Sequence, residues 1–141
     1  MKQIEPIVIH TNDCPLEQWD DPRRGAVKWH TIISADRTAS RSLTVGIAEL
    51  PPSDTASLAL HRHPPEEVYH VLSGTGIVTI AETQYPIRPG STVFIPGNTL
   101  HSVHTTGTET LRLLYVFATD SFDRIDYDFA APDAAAKTTH P

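Results

Sequence analysis

A chain of 141 residues has room for one domain and one hydrophobic core. Its net charge is −6 with histidine neutral, and no basic stripe runs along it, which excludes charge-driven binding of nucleic acid. Cys14 is the sole cysteine, so no disulfide framework exists within the chain, in keeping with a reducing cytoplasm.

The first residues contain no long apolar run, so neither a signal peptide nor a membrane span is expected. Twelve prolines and seven glycines, scattered between short apolar runs, predict an all-β domain with many turns. Residues 1–24 read as an N-terminal arm with one β-like run, Ile7-Val8-Ile9-His10, followed by turn-prone stretches around Cys14-Pro15 and Asp20-Asp21-Pro22. The domain proper is expected over residues 25–129. Residues 26–34 form its first full strand, rich in β-branched and aromatic side chains. A loop follows, then a strand over residues 43–50 that Pro51-Pro52 ends.

Residues 57–63 lead into His61-Arg62-His63-Pro64-Pro65-Glu66-Glu67. Side chains alternate between the faces of a strand, so His61 and His63 point the same way. Pro64-Pro65 cannot extend a hydrogen-bonded ladder, so the chain turns there. A new strand opens at Glu67 and carries Glu67, Tyr69 and Val71 on one face. Glu66 has the opposite parity and lies in the turn, so Glu67 is the better carboxylate. Imidazoles with one carboxylate suit one divalent transition metal: Fe, Mn, Ni, Co or Zn. Of the remaining histidines, His101 is the best placed to complete the set.

Beyond Gly74, strands are expected over residues 77–81 and 84–87, with a turn near Glu82-Thr83. Turns at Pro89-Gly90 and Pro96-Gly97-Asn98 bracket a β-rich run over 92–95. Strands over 100–105 and 111–118 follow, then an alternating edge strand over 122–129. Residues 130–141 lack an apolar period and read as a disordered tail. No long repeat is present, so one barrel is expected and not two fused copies.

With the two histidine segments in view, the chain resembles the cupin superfamily. His61, His63, Glu67 and Gly74 match its first motif, and Gly90, Pro96 and His101 match its second. Thr55, Asn98 and Thr105 depart from the pattern at positions that ligate no metal, and Asn tolerates left-handed turn geometry. The resemblance spans residues 25–129. It implies a cupin-type double-stranded β-helix, that is, a single jelly-roll barrel. It also implies a likeness to homodimers whose N-terminal arm lies against the barrel or crosses to a partner subunit. A loosely packed arm is the other reading of residues 1–24.

Three imidazoles and one carboxylate leave an octahedral ion open to a small-molecule ligand, which favours catalysis or ligand binding over a closed structural site. Tyr69 is either a general base or an inward aromatic that fills the barrel. Trp29 and Phe94 either wall the pocket or pack elsewhere. Arg112 interrupts an apolar strand, so it either holds a structural partner or binds a substrate carboxylate. His70 and His104 have outward parity, and Lys28 and Arg41 read as solvated. No phosphate loop, nucleophile elbow or Cys-x-x-Cys pair is present. The resemblance implies a dioxygenase, lyase or isomerase acting on a small acid, carbonyl or diol. Three His, one Glu and an inward Tyr also look like the cupin-type lyases of dimethylsulfoniopropionate. The other reading is a metal-assisted binding or sensor module without turnover.

Overall fold

The structure, a computed structural model, describes residues 4–53, 57–122 and 125–130. Its strands are β1 (Leu16–Gln18), β2 (Lys28–Ile33), β3 (Thr44–Leu50), β4 (Leu58–Arg62), β5 (Glu67–Ser73), β6 (Thr75–Ile80), β7 (Thr83–Ile87), β8 (Thr92–Ile95), β9 (His101–Thr106), β10 (Leu111–Phe117) and β11 (Asp128–Phe129). They form two antiparallel sheets, ordered β1-β2-β3-β10-β5-β8 and β11-β4-β9-β6-β7. This is the expected all-β jelly-roll barrel.

Alternation decides what faces inward. In β10, Leu111, Leu113, Tyr115 and Phe117 are buried, while Arg112, Leu114 and Val116 lie on the half-exposed outer face. The same period sends Glu67, Tyr69 and Val71 of β5 inward. Leu50, Val71, Val78, Ile95 and Val103 complete the centre of the core. Each such burial contributes roughly 1.5–3 kcal/mol.

Turn chemistry follows the sequence. Ala81 and Glu82 take positive φ (47° and 73°) between the paired residues Ile80 and Thr83, a two-residue hairpin of the kind that matches strand twist. Pro86 sits within β7, the edge of its sheet, where a missing N–H can face away from the ladder.

The two ends differ from expectation. Ile7-Val8-Ile9 forms no strand and is exposed. The edge of β2 is instead taken by β1, in register Glu17 with Trp29, and Trp19 packs against the core. Residues 16–24 therefore lie against the barrel. Of the edge strand expected over 122–129, Asp128–Phe129 alone pairs, with β4. Ile125 and Tyr127 are buried without joining a ladder. Thr55 and the tail over 131–141 lie outside the described residues. Among the described residues no helix is long and apolar enough to cross a membrane.

Candidate metal centre

Two strands and one tight turn assemble the histidines. His61 on β4 and His101 at the start of β9 are direct partners across the ladder. His63 follows β4 by one residue, and Glu67 opens β5 in the other sheet. The turn at residues 96–98 draws these pieces together. A Cβ added to Gly97 would lie 2.3 Å from the Pro64 carbonyl oxygen, so any larger residue would push the turn away. Asn98, at φ 58°, donates its N–H to the His63 carbonyl at 2.7 Å.

His61, His63, Glu67 and His101 are all buried. The ligand atoms of the three histidines lie within 4.8 Å of one another. Glu67 Oε1 is 3.2 Å from His63 Nε2 and 3.4 Å from His101 Nε2. Each ring turns its Nδ1 to a backbone carbonyl: His61 to Ala59 at 2.7 Å, His63 to Pro65 at 3.0 Å, and His101 to Thr99 at 2.8 Å. A carbonyl can only accept, so Nδ1 carries the proton and Nε2 keeps its lone pair. Such outer hydrogen bonds are what orient metal-ligating histidines.

Three lone pairs and a carboxylate that share one dry space repel unless a cation sits among them. A proton is a poor candidate at His61. Burial first, then the neighbouring His101, hold that imidazole well below its ordinary value. Burial raises the Glu67 carboxyl, and hydrogen bonding and positive charge at His101 and His63 bring it below its ordinary range; with each Nδ1 proton already given to a carbonyl, a cation held at the Nε2 atoms would supply that charge. His101 Nε2 is buried with no hydrogen-bond partner. An orphaned acceptor facing a carboxylate fits a divalent ion as the group that completes the cluster.

Glu67 is also the residue this cluster shares with a small apolar cavity of about 40 Å³, room for water and well below the volume of a filled ligand site. Trp19, Trp29, Leu50, Leu113, Phe117 and Phe122 are among its walls, and Tyr69, Tyr115 and Tyr127 bring hydroxyls to it. Glu67 is its one charged lining residue. The Tyr69 hydroxyl is buried without a hydrogen-bond partner. Burial, and secondly the Glu67 charge, hold its phenol well above the ordinary value.

The structure brings together His61, His63, Glu67, His101, Tyr69 and Trp29. It sets Phe94 and Arg112 apart. Val93 and Ile95 take the inward parity of β8, so Phe94 points outward and is 55% exposed; it does not wall the pocket. Arg112 has the outward parity of β10 and its Nε lies 3.6 Å from Glu49, so it is a structural partner on the outer face and does not reach the pocket. His70 bonds to Thr92 at 2.8 Å, away from the cluster. Sequence reasoning missed Trp19, Tyr115 and Tyr127. The Tyr127 ring lies 5.4 Å from His61 and 5.2 Å from His63. The alternation Ile125, Tyr127, Phe129 was the available signal for it. Trp19 had none, because its place depends on β1 docking against β2.

A family model described as a cupin domain matches residues 46–117. The chain is 41% identical over 126 residues to the dimethylsulfoniopropionate lyase DddW of Ruegeria pomeroyi, covering 89% of this chain and 81% of that protein. It is 28% identical over 146 residues to auxin-binding protein 1 of Arabidopsis thaliana, covering 96% of this chain and 71% of that protein. Among solved structures, the polyketide cyclase RemF of Streptomyces resistomycificus superposes with a TM-score of 0.72 at 22% identity, over 92% of this chain and 90% of that one.

Proposed function

The chain belongs to the cupin family, and on that premise we propose that it is a metal-dependent lyase that splits dimethylsulfoniopropionate into dimethyl sulfide and acrylate. His61, His63, Glu67 and His101 would hold one divalent transition ion. When bound, that ion supplies a Lewis acid for the substrate carboxylate and leaves coordination positions open. The observation that carries the reading is the convergence of three Nε2 lone pairs and one carboxylate beside a cavity. The likeness to a lyase over most of the chain supports the choice of reaction.

Tyr69 is the proposed base. It takes the proton from the carbon next to the carboxylate, the electron pair forms the new C=C bond, and the C–S bond breaks with its electrons leaving on sulfur. Because Glu67 helps to keep the phenol protonated, Tyr69 can serve as a base only where positive charge offsets that carboxylate. The aromatic walls exclude water and suit a sulfonium better than a hydrated anion. The expected result is dimethyl sulfide in the headspace of metal-loaded protein given this substrate, lost on chelation and regained on reloading. Metal-loaded protein that releases none would overturn the lyase reading.

A non-catalytic binding module is the second reading, supported by the likeness to an auxin-binding protein. Saturable ligand binding without product would favour it. We also propose a homodimer that works in the cytoplasm. The exposed Phe94, paired across β8 and β5 with Val68, supports a subunit contact on that outer face, and sedimentation velocity checks it.

A further inference from the structure

The N-terminal segment places a guanidinium beside the histidine end of the barrel, and nothing in the reaction above uses it. Pro22–Arg24 form a short 3-10 turn capped by Asp21, whose carboxylate accepts from Arg23 N at 3.0 Å. Gly25 then passes hard against the start of β4, at φ 114°, where a Cβ would lie 2.3 Å from the Ser57 carbonyl oxygen. The Val27 N–H donates to that same carbonyl at 3.1 Å. With its backbone pinned on both sides, Arg24 has a defined place.

Its Cζ lies 4.7 Å from the centre of the Phe129 ring and 5.5 Å from that of Trp19. Phe129 in turn lies 5.1 Å from His61, and Trp19 walls the cavity. Three arginines among the described residues are half-buried. Arg62 is paired with Asp128 and Arg112 with Glu49, whereas Arg24 has no ion pair among the described residues. Stacking occupies the faces of a guanidinium and leaves its in-plane N–H donors for an acceptor. A cation that Asp21 feels without pairing to it, held beside a site on a chain of net charge −6, draws anions toward it.

We propose that Arg24 is the anion-selecting residue of this site, its guanidinium recruiting the carboxylate of a small organic acid at the mouth of the barrel. The proposal rests on the metal reading only for where that carboxylate goes next.

Propionate and its uncharged counterpart propionamide are suitable probes, titrated into the full chain in zinc-loaded and metal-stripped forms while the indole N–H resonances of Trp19 and Trp29 are followed. Wild-type protein should bind propionate more tightly than propionamide, and added salt should weaken propionate binding. Arg24→Gln should weaken propionate about tenfold, flatten its salt dependence and leave propionamide and zinc content unchanged. Arg24→Lys should restore most of the loss. Arg24→Met keeps apolar contact with both rings and replaces the Gln variant if thermal melts show that one to be unfolded. Equal propionate affinity in wild type and the charge-free variant, or equal loss of both probes, overturns the proposal. Failure of zinc to bind would instead count against the metal centre, and the metal-stripped titration would still decide the role of Arg24.

Discussion

The barrel gathers histidine and charged groups in two places, and the two behave differently. Inside, His61, His63, Glu67 and His101 meet with almost no exposure to water. Outside, on β2, β3 and β10, Glu49 lies 3.7 Å from His30 and 3.6 Å from Arg112, with 32% of the Glu49 side chain and 37% of the Arg112 side chain exposed. The residue types and separations are close to those inside. Water screens the outer cluster, so its pairs contribute about 0–1 kcal/mol each. The inner cluster has no such screen, and its lone pairs face a carboxylate with no proton donor between them. Burial therefore turns similar contacts from a minor surface feature into a demand for a cation.

That contrast can be broken from either side. The largest effect is expected at the centre: His101→Ala should lower metal affinity by at least about 100-fold, read by elemental analysis of tag-free protein. Tyr69→Phe should keep the metal and cut turnover about 100- to 10,000-fold. Unchanged turnover would make Tyr69 a packing residue.

A third effect is on stability in the metal-free protein. The folded value of His61 is depressed below its ordinary 6.5, so the unfolded chain binds the extra proton and stability falls as pH drops below about 6.5. Glu67, also depressed, adds a loss below its ordinary 4.5. Melting temperatures across pH 8 to 4 should decline over those windows, and metal should shift the upper part of the decline to lower pH. The smallest effect belongs outside: Arg112→Gln should change stability by less than about 1 kcal/mol and leave metal content untouched. Loss of metal in that variant would show the two clusters to be coupled.

Within the sequence, the strand order along the chain was legible because period-two alternation and Pro-Gly punctuation are local signals. Asn98 is a clear case: the chain needs a left-handed turn there, and the residue type announces one. The inner cluster was legible too, since His61, His63 and Glu67 lie within seven positions on strand-compatible spacing. For Phe94 and Arg112 the residue types leave a pocket place and an outer place both open, and parity within β8 and β10 sends the two side chains outward.

Sequence alone determined a β-rich barrel and the residue types of its inner cluster, because side-chain alternation and turn chemistry act between near neighbours. Only the tertiary structure decided that Gly97 would press against Pro64, that Trp19 and Arg24 would close over the histidine end, and that Tyr127 would join it without a strand. Those outcomes depend on which edges remain free once the sheets have paired. No short window of residues carries that information.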